Sequence, residues 1–175
     1  MKKNPVVNLV LASLFLALCL VLPMLTGQIQ GIGNKFLPMH IPVLLCGFIC
    51  GWPYGLLVGA VAPVLRAFLF TMPPMYPVAV AMAFELAAYG FMTGILKRIL
   101  PEKTAYLYLN LIISMLVGRA VWGVANYVIM KIAGSVFTWQ LFATGAFANA
   151  VQGIVIQLIL IPVIVIVADR HRVRQ

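Results

Sequence analysis

A chain of 175 residues that is 64% hydrophobic and only 9% charged cannot clothe itself in a water-facing surface, which takes about a quarter of the residues as charges. The formal net charge of +9 suggests nucleic acid until the positions are read. Lys2, Lys3, Lys97, Arg98, Lys103, Arg170, Arg172 and Arg174 all flank apolar segments, and no basic stretch is interleaved with exposed aromatics, so a nucleic-acid partner is excluded in favour of a lipid bilayer. A span needs roughly 20 apolar residues, so the chain reads as one transmembrane domain, 1–175, of about six helices.

The first predicted helix is Val6–Met24, with Pro5 at its start and Pro23 near its end. Its basic beginning and apolar run resemble a signal peptide. The run is nearly span length, however, and no A-x-A-like site precedes Gly27, so it is read as a retained helix. Ser13 and Ala17 place two small residues on one face, with Asn8 further back; such a face serves internal packing or docks another membrane subunit. Thr26–Leu37 follows, a polar, glycine-rich loop containing Gly31, Gly33, Asn34 and Lys35, which suits either a connector or a lid over a site.

Pro38–Gly51 and Tyr54–Phe70 read as two short helices, 2 and 3. Gly47, Gly51, Gly55 and Gly59 recur every fourth residue, which lets another backbone approach closely without a hydrophobic driving force. Trp52-Pro53 interrupts this column, because proline disfavours helix in the residue before it. His40 opens the stretch and Arg66 lies near its close. Cys19, Cys46 and Cys50 all fall inside apolar segments and read as packing residues. A stiff turn, TMPPMYP, leads to helix 4, Val78–Arg98, with Glu85 two turns in and a small-residue stripe of Ala79, Ala83, Ala87, Gly90 and Gly94. After the basic loop, helix 5 spans Thr104–Ile132 and carries Arg119, Trp122 and Asn126. Trp139 in the next loop suits a membrane interface. Helix 6, Gly145–Ala168, carries Asn149, Gln152 and Gln157 and runs into the basic tail.

Six spans put both termini on one side, and the flanking lysines and arginines make that side cytoplasmic. On that topology His40, Arg66, Glu85, Arg119, Asn126, Asn149 and Gln152 collect in the outer half of the membrane. A mid-membrane charge costs about 2.5–3.5 kcal/mol even on the lenient insertion scale, so these groups need a reason. One reason is structural: Glu85 pairs with Arg119 or Arg66 and locks the bundle. The other is an outward-opening solute pocket, with Trp122 and Tyr76 on its apolar wall. Counting Arg66, Arg119 and Glu85, such a pocket is about singly positive and suits an anionic or zwitterionic ligand. No P-loop, HExxH, GxSxG or carboxylate-rich metal cluster occurs, so neither an enzyme nor a bound cofactor is expected.

Six short spans, a small-residue face on helix 1, a glycine-bearing first outer loop and the stretch MHIPVLLCGFICGWPYGLLVG resemble the substrate-binding S components of energy-coupling factor (ECF) transporters, and in particular their pantothenate-like branch. The resemblance implies a vitamin-capture subunit of the bacterial plasma membrane with no ATPase activity of its own. A transmembrane coupling subunit and two cytoplasmic ATPases would dock largely through Ser13 and Ala17. It implies a pocket at Glu85, Arg119, Trp122, Asn126, Asn149 and Gln152 under a lid at Gly31–Leu37, to which the depth argument adds Arg66 and His40. Pantothenate leads the candidate ligands because it is anionic, followed by pyridoxine-like compounds, pyrimidine precursors and deazaguanines. Two other readings stand beside this one: a self-sufficient carrier using Glu85 as its proton site, and a membrane scaffold with no solute.

Overall fold

The computed structural model describes residues 5–27, 37–101, 103–134, 138, 140 and 151–173. Among these residues the fold is six α-helices: α1 (Pro5–Gly27), α2 (His40–Cys50), α3 (Trp52–Phe70), α4 (Val80–Ile99), α5 (Thr104–Ile132) and α6 (Val151–Val173). Five segments are long and apolar enough to cross a membrane, and α2, at 11 residues, is the short one.

Contacts between helices fix their directions. Tyr54 at the start of α3 donates to the Pro5 carbonyl at the start of α1, and Arg66 near the end of α3 donates to the Leu20 carbonyl. α1 and α3 therefore run the same way, and α2 returns between them. Trp52 and Gly94 meet at one end of the α3–α4 pair, Asn110 of α5 bonds the Thr93 carbonyl of α4, and Lys97 near the end of α4 pairs with Asp169 near the end of α6. Thus α1, α3 and α5 start at one end of the bundle, here the near end, and α2, α4 and α6 finish there.

The expected break at Trp52-Pro53 is present, and its pivot is Gly51. This residue takes φ 97° and ψ 172°, a conformation that side chains oppose. Helix resumes at Trp52, two residues earlier than expected, because proline is tolerated in a first turn where no N–H partner is needed. The expectation that helix 3 is short is corrected: at 19 residues α3 reaches about 28 Å, near the thickness of a bilayer core. Ahead of α4, Met75–Ala79 makes a wide turn, with Tyr76 extended and the Ala79 N–H bonded to the Pro74 carbonyl at 3.0 Å.

The glycine column divides its labour. Gly51 makes the turn, while Gly47, Gly55 and Gly59 receive the backbone of α4. A methyl group on Gly47 or on Gly55 would lie 2.5 Å from the same atom, the Gly90 carbonyl oxygen, and one on Gly59 would strike the Leu86 carbonyl. In return, a methyl on Gly94 would strike the backbone of Trp52. This backbone-to-backbone seam seats α4 against α2 and α3, and it fixes which side chains of α4 face α5. Leu86 and Tyr89 join a core built around Val43, Leu44 and Phe48 of α2, with Cys19 and Cys46 packed among them as small apolar groups.

The Lys97–Asp169 pair, 2.7 and 2.8 Å to the two carboxylate oxygens, lies in partly exposed surroundings. Lys97→Met is accordingly expected to lower stability by no more than about 1 kcal/mol, and by less at high salt. Thermal denaturation in detergent at two ionic strengths checks this.

Candidate functional site

Three helices, α2, α4 and α5, bring polar groups to one point inside the bundle. α4 places Glu85 and, one turn later on the same face, Tyr89. α5 supplies Arg119, and His40 is the first residue of α2. Arg119 Nη1 donates to Glu85 Oε1 at 2.9 Å, and the Tyr89 hydroxyl donates to the same oxygen at 3.0 Å. His40 Nε2 stands 3.5 Å from it, with its ring tilted 58° against the Tyr89 ring at 5.4 Å. Relative exposures of 1% for Glu85 and Tyr89, 2% for His40 and 6% for Arg119 put the cluster in the interior. Gly118, beside Arg119, makes room for the Tyr89 ring, which a methyl at that position would strike.

One carboxylate oxygen has lone pairs for two good hydrogen bonds. Arg119 and Tyr89 take them, and His40 is left at the outer limit of bonding. Among the described residues both His40 ring nitrogens and Arg119 Nε are buried with no hydrogen-bond partner. A second polar layer on the near-end side of Tyr89 behaves differently. Thr93 Oγ1 donates to the Tyr89 carbonyl at 2.8 Å, Asn110 Nδ2 to the Thr93 carbonyl at 3.0 Å, and Ser114 Oγ to Asn110 Oδ1 at 3.0 Å. That layer is closed on itself, as a purely structural clamp between α4 and α5 should be. The Glu85 layer keeps donors in hand, and buried donors without acceptors are costly.

The other expected site residues fall in several places. Arg66 is buried, but its guanidinium donates to the Leu20 carbonyl and lies 5.5 Å from the centre of the Phe70 ring. Pro23 interrupts the α1 hydrogen-bond ladder close to that carbonyl. Arg66 therefore ties α3 to α1, and Glu85 is paired by Arg119. Asn126 is buried two turns along α5 from Arg119 and donates back to the Trp122 carbonyl at 2.9 Å; Trp122 itself is half-buried. Tyr76 is exposed overall, and its hydroxyl ties the turn before α4 to the Ile129 carbonyl at 3.1 Å. Gln152 is exposed, while Gln157 is buried. Asn149 and Gly31, Gly33, Asn34 and Lys35 lie outside the described residues.

A family model for the substrate-specific component of ECF transporters matches residues 7–165, nearly the whole bundle and all four residues of the cluster. The chain belongs to this ECF family. No curated protein and no solved structure matches it. Membership makes it a membrane protein of the substrate-binding kind, from a transporter family and not an enzyme family.

Within the matched span, Ser13 and Ala17, the small residues expected to face a partner, are both exposed on α1. The Ser13 hydroxyl bonds the Leu9 carbonyl at 3.0 Å, so its donor is held against its own helix. Asn8 is turned into the bundle instead, since five residues rotate a helix well away from the Ser13 face.

Proposed function

We propose that this chain is the solute-capture subunit of an ECF-type importer, binding a water-soluble vitamin or precursor at the Glu85–Arg119–His40 cluster, with pantothenate the first candidate. In this reading it crosses the bacterial plasma membrane six times with both termini cytoplasmic. The cluster opens outward beneath a lid that includes Gly31, Gly33, Asn34 and Lys35. Loaded, the subunit presents Ser13 and Ala17 to a transmembrane coupling subunit that works with two ATPases.

The observation that carries the reading is the contrast between two polar layers in one bundle, one closed on itself and one holding buried donors in reserve. Charge adds less than a residue count suggests. With Arg66 engaged by Leu20, the cluster balances one carboxylate against one guanidinium. The unpartnered Nε–H of Arg119 is what favours a ligand carboxylate there, since a guanidinium can present a second edge once the first is occupied.

Thermal denaturation of the purified protein in detergent, against pantothenate, its neutral alcohol analogue, pyridoxine and pyrimidine precursors, tests the reading. Ligand at a hundredfold excess over Kd stabilises the folded state by about 2.7 kcal/mol. A shift with pantothenate, smaller with the alcohol and absent in Arg119→Ala, is the expected result. A folded, monodisperse protein that responds to none of the panel contradicts it. Uptake by vesicles holding this chain alone, driven by a pH gradient, would favour the proton-coupled carrier.

A further inference from the structure

Outside the cluster, the most deeply buried unpartnered polar group among the described residues is on Gln157 of α6. This residue is 1% exposed, and its amide nitrogen has no hydrogen-bond partner among the described residues. It lies on a buried stripe, Gly153, Gln157, Ile161 and Val165, whose last two members pack into the core against α2. α6 packs against α2 and α5, the helices that carry His40 and Arg119.

Its depth follows from an internal ruler. Lys97 and Asp169 are ion-paired near the ends of α4 and α6, two helices that run the same way. Glu85 lies twelve residues before Lys97, and Gln157 twelve residues before Asp169. At 1.5 Å per residue both stand about 18 Å above the ion pair. The buried amide is therefore level with the buried carboxylate, on a helix packed against those that carry His40 and Arg119.

We infer that Gln157 is a ligand-reading residue, its amide N–H donating to a neutral acceptor, such as a carbonyl oxygen, on the captured solute while Arg119 takes that solute's carboxylate. The inference rests on the capture reading and narrows it to solutes that bear both an anionic group and a neutral acceptor. An amide buried without an acceptor among the described residues is a liability to the empty protein. Its retention at this level is explained by an acceptor that arrives with the solute.

The test is a titration of purified wild type, Gln157→Met and Gln157→Asn with pantothenate, which carries a carboxylate and an amide carbonyl, alongside melting of each protein without ligand. Methionine conserves volume and removes the donor; asparagine keeps an amide but withdraws it by one methylene. Both variants are expected to bind pantothenate about tenfold to a hundredfold more weakly. The empty Gln157→Met protein is expected to melt at or above the wild-type temperature. Affinities within twofold of wild type overturn the inference and leave the capture reading standing. So does a drop of several degrees in the empty Gln157→Met protein, or its failure to fold, since the amide would then be holding the bundle together. Wild type that binds neither pantothenate nor any other compound of the panel removes the capture reading, and this inference with it.

Discussion

Glu85→Ala is expected to destabilise the protein by about 3–5 kcal/mol, because it strands the Arg119 guanidinium in the interior with no counter-charge. The same change removes the acceptor of the Tyr89 hydroxyl, 3.0 Å away and equally buried. Removing both charges at once, as Glu85→Leu with Arg119→Met, is expected to restore most of that loss. Two desolvated ions replaced by apolar groups of similar volume are often neutral or better. Denaturation of the two single variants and the double in detergent gives the coupling directly, and strong non-additivity is the expected sign. Single variants that each cost under about 1 kcal/mol would contradict the closed pair. The double variant also separates architecture from function. A protein that regains its stability but no longer binds the solute that the wild type binds shows that the pair serves binding beyond holding helices together.

The second large effect lies in the seam. Gly90→Ala is expected to cost at or beyond the upper end of the roughly 1–3 kcal/mol typical of overpacking, and Gly90→Val to prevent folding. A side chain at this position meets the backbone of Gly55, which cannot rotate aside as a side-chain tip can. Separating α3 from α4 also moves Glu85 away from its partners. Phe84→Ala, on the exposed face of the same helix, is the control and should change stability by about 0.5 kcal/mol or less. Melting temperatures and retention on a sizing column distinguish the two outcomes.

The bundle was legible in the sequence to the extent that lipid dictates composition. Apolar run lengths located the helices, and helix 5 matches its expected bounds, Thr104–Ile132. The glycine spacing announced a close backbone approach, and the cost of mid-membrane charge singled out Glu85 and Arg119. What could not be read was pairing in three dimensions. Arg66 is as conspicuous in sequence as Arg119, yet its partner is a carbonyl of α1, and no local pattern foretells a bond to a residue 46 positions away. Tyr89 was missed although the signal was available: it lies four residues after Glu85, on the same helical face, next to a notch that only Gly118 provides. Asn110 and Ser114 form their layer at the same spacing. Gln157 was visible as a polar residue in an apolar helix, but only the Lys97–Asp169 pair gives its height.

The shortness of α2 bears on how far a solute has to travel. α2 and α3 share the Gly51 pivot, and one has 11 residues where the other has 19. The free end of α2 therefore stops about 12 Å short of the end of α3. His40 is the residue at that free end, and it stands 3.5 Å from the Glu85 carboxylate. On the proposed capture reading, a solute arriving from beyond the free end of α2 meets the cluster after about 12 Å, under half of the roughly 30 Å that separates the two faces of a hydrocarbon core. The short helix brings the site nearer to one face of the membrane than the middle of a full-length span would be.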